Sequence, residues 1–150
     1  MPTPPAVPDP GSTPPHAIIA GFGVPGRAAH EALCVAGWEV SVVERNAATV
    51  ERCRAGMDIR HGDATDVDTL VDAGLMRAEL FVIALPDEAS VMRCIDTVRV
   101  AAPKLTIVAR TYFTSSAYEA KRRGATEVVI AEQVIAEAMG KRVGEMLDNG

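Results

Sequence analysis

The sequence predicts an α/β fold of the Rossmann type: a doubly wound parallel sheet, six strands in the order 3-2-1-4-5-6, with an extra C-terminal helix. Short apolar runs alternate with helical stretches from Ala17 onward, and the connections between them are short. Three glycines spaced G-x-G-x-x-G follow the first apolar run and open the first helix. Alternation of this kind produces right-handed βαβ crossovers and one open parallel sheet.

The expected strands are nearly continuous in apolar residues, as they are when helices cover both faces of a parallel sheet. They are 17–20, 39–43, 57–60, 80–85, 105–109 and 127–130. The expected helices between and after them are 25–36, 47–55, 66–73, 87–101, 116–123 and 132–147.

Capping signals accompany these helices. Asn46 and Asp87 are candidate N-caps, and Thr65-x-x-Asp68 and Ser116-x-x-Glu119 resemble capping boxes. The glycines expected to end helices with a positive φ are Gly37, Gly56, Gly74 and Gly124.

Composition narrows the class of protein. A chain of 150 residues fits one domain, and a net charge of -5 argues against a nucleic-acid partner. No apolar run approaches the roughly 18 residues that cross a bilayer. Residues 1–15 hold seven of the ten prolines and no apolar signal-peptide core, so we expect a linker or disordered tail there. Residues 16–131 are expected to form the Rossmann domain and 132–150 a helix for assembly.

The cysteines and histidines show no spacing typical of a metal site. Cys34, Cys53 and Cys94 form no C-x-x-C pair, which favours reduced thiols, buried as small hydrophobes, in a cytoplasmic protein. We therefore expect no metal centre built on histidine and cysteine.

The turn "GFGVPG" is the strongest functional signal. Gly21 permits a tight turn, Gly23 lets backbone approach a phosphate, and Gly26 lets the helix lie close to the strand. The helix N-terminus then offers free N–H groups and a partial positive charge to an anion. Pro25 fits the first helical turn, where its missing N–H is no loss.

An acidic residue completes the dinucleotide-binding pattern, which places one about 20 residues beyond the glycines. Glu44, at the end of the second strand, can accept hydrogen bonds from ribose hydroxyls and would repel a 2′-phosphate. The neighbouring Arg45 leaves NADP open as an alternative, because an arginine there can accommodate that phosphate. A second alternative is a Rossmann fold whose turn binds nothing.

Several stretches in order resemble one regulatory family. They are AIIAGFGVPGRAAHEAL, VSVVERN, HGDATDVDTLVDAGL, FVIALPDE, TIVART and GATEVVIAEQ. Over 17–139 the chain resembles the N-terminal RCK domain (regulator of conductance of potassium, also called TrkA-N or KTN), most like those of Kef-type potassium efflux systems. The "GDAT" after the third strand is the more specific part, since many dehydrogenases share the glycine motif.

The resemblance implies a sensor on the cytoplasmic side of the membrane. Such domains bind NAD(H), AMP, ADP or ATP and pass the binding state to a potassium channel or transporter subunit. They assemble as homodimers or larger homo-oligomers.

The resemblance also implies a set of nucleotide-contacting residues. They are Gly21, Phe22, Gly23, Val24, Pro25, Gly26, Glu44, Arg45, Asp63, Ala64, Thr65, Ala84, Leu85 and Arg110. The glycines would cradle phosphates and Glu44 would hold the ribose. Asp63, Ala64 and Thr65 would flank the adenine.

The resemblance also implies roles for residues later in the chain. Ala84 and Leu85, ending the fourth strand, would line the floor of the site. Arg110, expected just after the fifth strand, would face the cleft or a neighbouring subunit. Glu132 matches an acidic position that helps bind a cation in some relatives.

Each polar position has a structural alternative. Asp63 would then only cap the next helix, Arg110 would be a solvated charge, and Glu132 would only favour the N-terminus of the last helix. The chain also departs from the family at Val24, where many members carry arginine. Arg27 would compensate in part for the missing arginine. The loss of that positive charge disfavours the binding of di- and triphosphates more than the binding of AMP or NAD.

Two other function classes stay open. A small NAD-dependent oxidoreductase needs a catalytic acid or base. The pair most similar to the Tyr-x-x-x-Lys pair of short-chain dehydrogenases is Tyr118 and Lys121, but only two residues separate them. An assembly module is indicated by an apolar stripe on the last helix. Its residues are Val134, Ile135, Ala138, Met139, Val143, Met146 and Leu147. The stripe would pack on a partner chain or on its own domain. We expect no catalytic residues.

Overall fold

A computed structural model of the chain describes residues 9–150. Its strands are β1 (His16–Ala20), β2 (Glu39–Glu44), β3 (Asp58–His61), β4 (Ala78–Ile83), β5 (Thr106–Thr111) and β6 (Glu127–Ile130). They form one six-stranded sheet in the order β3-β2-β1-β4-β5-β6, and every neighbouring pair is parallel. The predicted fold class and strand order are confirmed.

The helices follow the predicted alternation with shifts of a few residues at their ends. They are α1 (Val24–Val35), α2 (Ala47–Cys53), α3 (Val67–Asp72), α4 (Glu88–Ala101), α5 (Thr114–Arg123) and α6 (Ala131–Asp148). A 3₁₀ turn, Leu75–Arg77, leads into β4.

The central strand β1 divides two apolar cores, one on each face of the sheet. Every residue of β1 is buried. Ile18 packs on the face that includes Phe81 and Ile95, and Ile19 packs on the face that includes Trp38. Successive strand residues point to opposite faces, so an uninterrupted apolar run is the sequence of a strand covered on both sides.

Two of the predicted helix starts are confirmed. The Asn46 Oδ1 accepts a hydrogen bond from the Thr49 N–H at 3.1 Å, and the Asp87 Oδ2 accepts one from the Ser90 N–H at 3.0 Å. These bonds satisfy amides that have no partner inside the helix.

Both predicted capping boxes are wrong. Helix α3 is capped by Asp66, whose side chain accepts from the Asp68 N–H, because the chain turns helical one residue later than Thr65. Helix α5 already begins at Thr114, so Ser116 lies inside it, and Phe113 at its N-cap offers no side-chain oxygen.

The prediction that glycines with a positive φ end the helices is confirmed at three of four positions. Gly37, Gly74 and Gly124 have positive φ angles. The prediction for Gly56 is wrong, since α2 ends at Cys53 and Arg54 is its C-cap, so Gly56 lies beyond the cap.

The cysteines differ in burial. Cys94 is buried and Cys53 half-buried, whereas Cys34 is exposed, so the prediction of a buried thiol is wrong for Cys34. Cys34 lies on a solvent-facing side of α1, where its Sγ is 3.7 Å from the His30 Nδ1.

Helix α6 contains no buried residue. Its apolar stripe is exposed, from 48% at Val143 to 74% at Leu147. No helix among residues 9–150 combines the length and apolar character needed to cross a bilayer.

The predicted proline-rich segment 1–15 lies partly outside the described residues, which begin at Asp9. Residues 9–14 are exposed and have no regular secondary structure. The division of the chain at residues 16 and 132 stays a prediction.

Candidate functional site

A cleft lies at the carboxyl edge of the sheet, where the strand order reverses between β1 and β4. This is the position at which open α/β sheets bind ligands. Two adjoining pockets form it, and both include Glu44 and Pro86. The first, the glycine pocket, has a volume of about 350 Å³ and is lined by Gly21, Phe22, Gly23, Val24, Pro25, Glu44, Ala84, Pro86 and Arg110. The second, the acidic pocket, has a volume of about 310 Å³ and is lined by Glu44, Arg45, Asn46, Asp63, Leu85, Pro86, Asp87 and Ser90.

The glycine turn is pressed against the end of β4. Gly21 has a φ of 94°, and a Cβ on it would lie 2.8 Å from the Ala84 carbonyl oxygen. The Gly21 N–H donates to the Val43 carbonyl at 2.9 Å, which ties the turn to β2. Gly23 is different, because a Cβ there would meet nothing within 4 Å. Its bare backbone faces open space at the pocket.

The N-terminus of α1 points free amides at this pocket. Gly23 is the N-cap and supplies no side-chain cap, and the first turn contains no acidic residue. The amides of a helix's first turn have no partner inside the helix, and the helix dipole adds a partial positive charge there. The site therefore favours an anion.

Arg110 brings a full positive charge to the same pocket. It lies inside β5, one residue before the strand ends, and the expectation that it follows the strand is corrected by the longer β5. Its Nη2 donates to the Pro86 carbonyl at 3.4 Å, while its Nε is buried without a hydrogen-bond partner among residues 9–150. The side chain of Arg110 is thus held beside the glycine pocket, where the positive charge of its guanidinium favours an anion.

Glu44 stands at the boundary between the two pockets. It is the last residue of β2 and is half-buried. One carboxylate oxygen, Oε2, accepts a hydrogen bond from the Arg45 N–H at 2.9 Å, which fixes the orientation of the side chain. A carboxylate held there can accept hydrogen bonds from paired hydroxyl groups of a sugar.

The acidic pocket has two further carboxylates. The Asp63 Oδ1 accepts from the Thr65 N–H at 2.8 Å and from the Thr65 hydroxyl at 2.7 Å, and these bonds hold the pKa of Asp63 below 3.8. The hydroxyl of Ser90 likewise holds the pKa of Asp87 below its ordinary value. Both carboxylates are therefore ionised at neutral pH. With Glu44 they give this pocket three carboxylates beside the guanidinium of Arg45, and carboxylates attract hydrogen-bond donors.

Three predicted site residues, Gly26, Ala64 and Thr65, line neither pocket. Ala64 is 2% exposed in the core, and its carbonyl accepts from the Cys94 Sγ at 3.1 Å. Thr65 is turned toward α4, where its carbonyl accepts from the Thr97 hydroxyl. Burial raises the pKa of the Cys94 thiol, which is consistent with a structural role.

Other predicted residues are placed as follows. Ala84 lines the glycine pocket and Leu85 the acidic pocket, just after the last residue of β4. Gly26 lies beneath the turn against Gly21 and Ala84. Arg27 lies over the Phe22 ring, 5.4 Å from its centroid, and lines neither pocket.

Glu132 joins the starts of α5 and α6. Its Oε1 accepts from the Thr114 N–H and the Thr114 hydroxyl, both at 2.9 Å, so it caps α5 from the first turn of α6. Within residues 9–150 there is no group of three or more His, Cys, Asp or Glu side chains that could hold a metal ion.

Four lining residues were not expected from the sequence: Asn46, Pro86, Asp87 and Ser90. Asn46 and Asp87 are recognisable as helix caps. A helix cap in the short connection after a parallel strand lies at the ligand-binding edge of the sheet. The capping pattern in the sequence could therefore have identified Asn46 and Asp87 as lining residues.

Comparison with known proteins identifies the family of the chain. The family model for the TrkA-N domain matches residues 17–131. The putative K(+) efflux antiporter KefB of Alkalimonas amylolytica is 33% identical over 115 residues, which are 76% of this chain and 17% of that protein. The chain thus spans about a sixth of the length of this curated relative.

Solved structures resemble the chain over most of its length. The TrkA-N domain of the inner membrane protein ybaL from Escherichia coli superposes with a TM-score of 0.79 at 25% identity, covering 86% of this chain and 96% of that one. The Kef CTD of Shewanella denitrificans, in its AMP-bound form, gives 0.79 at 26% identity, covering 88% and 80%. GsuK bound to ADP gives 0.76 at 26% identity, covering 84% and 33%.

Proposed function

Because this chain belongs to the TrkA-N domain family, we propose that it is the nucleotide-binding regulatory domain of a potassium transporter or channel. Nucleotide binding in the cleft would change the activity of a membrane subunit. The observation that carries the proposal is the cleft itself: a glycine turn, the N-terminus of α1 and the side chain of Arg110 line one pocket beside Glu44.

The proposed ligand is an adenine nucleotide or NAD(H). AMP occupies the Kef CTD and ADP occupies GsuK in the structures compared above. Arg110 supplies one full positive charge in the glycine pocket, and the exposed Val24 adds none. This charge balance favours AMP and NAD(H) over ADP and ATP, which carry more negative charge into the same space.

The proposed orientation follows the polarity of the cleft. Phosphate would lie at the glycine turn and Arg110, where amides and guanidinium donate. Ribose would lie at Glu44. Adenine would lie in the acidic pocket, where Asp63 can accept from the exocyclic amine and Leu85 provides an apolar surface. The carboxylates would exclude the 2′-phosphate of NADP.

We favour a sensor over an enzyme. Tyr118 and Lys121, the pair that imitates a dehydrogenase site, lie on α5 and line neither pocket, and Tyr118 is 76% exposed. A hydride-transfer enzyme needs an acid or base beside the nicotinamide. The lining residues act here as binding groups.

Assembly is part of the proposal. The exposed apolar side chains of α6 would be covered by another copy of the chain, giving a homodimer or a larger homo-oligomer. Ligand binding can act on a membrane subunit only through a difference in affinity between two states of such an assembly. The domain would work on the cytoplasmic side of the membrane.

Thermal unfolding of the chain with each nucleotide tests the proposal. We expect AMP and NAD(H) to raise the melting temperature with increasing concentration, because a ligand that binds only the folded state stabilises it. NADPH should give a smaller rise than NADH. The absence of any shift with AMP, ADP, ATP, NAD and NADH at millimolar concentration would contradict nucleotide binding.

The identity of the membrane partner needs a separate observation. A potassium transporter encoded in the same reading frame or in the adjacent gene would identify it. Steady oxidation of NADH by the chain with a carbonyl substrate would instead favour the oxidoreductase alternative.

A further inference from the structure

We propose that Glu88 is a positioning residue, which holds Arg110 toward the glycine pocket and thereby makes the site distinguish a nucleoside monophosphate from the nucleoside. This inference rests on the proposed function and names the residue that sets its recognition of phosphate. Glu88 itself lines neither pocket and would not contact the ligand.

Glu88 fastens the loop that follows β5. It is the first residue of α4, and its Oε1 accepts from the Tyr112 N–H at 2.6 Å and from the Phe113 N–H at 3.3 Å. Its Oε2 accepts from the Ser116 hydroxyl. Both carboxylate oxygens are thus used by the chain that begins two residues after Arg110.

A second contact lies on the other side of the same loop. The Pro86 carbonyl, two residues before Glu88, accepts from the Arg110 Nη2 at 3.4 Å. The segment 86–88 therefore holds both the guanidinium of Arg110 and the backbone just beyond it. These contacts together fix the end of β5 against the start of α4.

The arrangement leaves the charge of Arg110 available. Among residues 9–150 it forms no ion pair, and its Nε has no hydrogen-bond partner. Glu88 is close enough for the positive charge of Arg110 to lower its pKa, but its oxygens are engaged with the loop. Glu88 orients the arginine without neutralising it as a direct partner.

Such orientation matters because arginine loses much side-chain freedom when it is immobilised on a ligand. Immobilising one long side chain costs conformational entropy, which weakens binding. A guanidinium already held at the pocket avoids part of that cost and donates to phosphate with fixed geometry. The advantage exists only for a ligand that carries an anion.

The test compares AMP with adenosine, measured by isothermal titration calorimetry on the full chain. Glu88→Ala should weaken AMP by about three- to tenfold, because Arg110 must then be ordered when the ligand binds, and leave adenosine within about twofold. Glu88→Gln should recover part of the loss, because its amide oxygen still accepts from the Tyr112 N–H. Glu119→Gln is the matched control, since Glu119 pairs with Arg122 and Arg123 and lines neither pocket.

A double variant tests whether Glu88 acts through Arg110. Arg110→Ala should reduce the preference for AMP over adenosine to what the glycine turn and the amides of α1 provide, and adding Glu88→Ala to it should change that preference no further. Equal losses for AMP and adenosine in Glu88→Ala, or no loss for either, would overturn the positioning role. Failure of the unsubstituted chain to bind both compounds would instead overturn the proposed function.

Ser116→Ala, which removes one of the loop contacts, is a milder variant. It should lower the ratio of AMP affinity to adenosine affinity in the same direction as Glu88→Ala, by a smaller factor.

Discussion

Gly26 lies directly against Gly21, so close that a Cβ on Gly26 would overlap the carbonyl oxygen of Gly21. Gly21 in turn touches the backbone of Ala84 at the end of β4. The first turn of α1, the glycine turn and the end of β4 are therefore stacked with no room for a side chain. This stacking brings the amides of α1 to the edge of the sheet and creates the anion-binding end of the cleft.

The first prediction separates the two kinds of glycine in this turn. Gly26→Ala should destabilise the fold by about 1–3 kcal/mol, since the added methyl meets backbone that can only move as a unit. Gly23→Ala should leave stability nearly unchanged, because a Cβ there meets nothing within 4 Å. The Gly23 methyl would instead project toward the ligand and weaken AMP. Urea unfolding and calorimetry measure the two effects.

The opposite pattern would contradict this assignment of roles. If Gly26→Ala were stable and Gly23→Ala unfolded, the turn would have a different conformation from the one described here.

The second prediction concerns Glu44. Glu44→Ala should weaken AMP and NAD by about 1–3 kcal/mol, because a hydrogen bond to a charged group contributes on this order. NADPH should weaken less, or gain, because the variant removes a negative charge near its 2′-phosphate while Arg45 remains. Glu51→Ala, which breaks an exposed ion pair with Arg54 on α2, is the control. Equal affinities before and after Glu44→Ala would show that the ribose does not lie there.

The fold was predictable because its local signals agree with one another. The apolar run of β1 is buried on both faces, and its uninterrupted hydrophobicity is the direct consequence. The start of α5 was missed for a physical reason. Its first amide is capped by Glu132, which is distant in sequence, so no local pattern around Ser116 marks it.

The site was predictable where backbone geometry demands a particular residue. Gly21 and Gly26 are required by close backbone contacts, and Glu44 follows from its place at the end of β2. Ala64 was assigned to the adenine from the family resemblance, yet it lies in the core beneath α4. Pro86 lines both pockets because of where α4 begins relative to β5. That relationship is seen only in the folded chain.

The third prediction is the pH dependence of the loop after β5. The Ser116 hydroxyl and the amides of Tyr112 and Phe113 hold the pKa of Glu88 below its ordinary 4.5. A group with a lowered pKa in the folded state contributes stability above its unfolded pKa and loses it as the pH falls through the folded value. The unfolding free energy should therefore fall below about pH 4.5 as Glu88 and similar carboxylates are protonated.

Carboxyl titration by NMR checks the contribution of Glu88. Its pKa should lie below 4.5 in the unsubstituted chain and rise toward that value in Ser116→Ala, which removes the largest cause of the shift. An unchanged titration in Ser116→Ala would mean that this hydrogen bond is not made in solution.

The last prediction tests whether the exposed face of α6 is an interface between copies of the chain. Met139 is 61% exposed and Val143 48%, and they lie four residues apart, on the same side of the helix. Burying such a side chain contributes about 1.5–3 kcal/mol. Met139→Lys should therefore raise the dissociation constant of the assembly by at least about tenfold. Light scattering coupled to gel filtration measures it.

Glu137→Lys supplies the matched control, because Glu137 is exposed on α6 two residues from Met139 and so faces another side of the helix. It should leave the assembly intact, while both variants keep their affinity for AMP, since α6 lines neither pocket. An unsubstituted chain that is a monomer at all concentrations, with and without AMP, would rule out the interface. In that case the stripe would need a different chain to cover it, and the proposed coupling of nucleotide binding to assembly would fail with it.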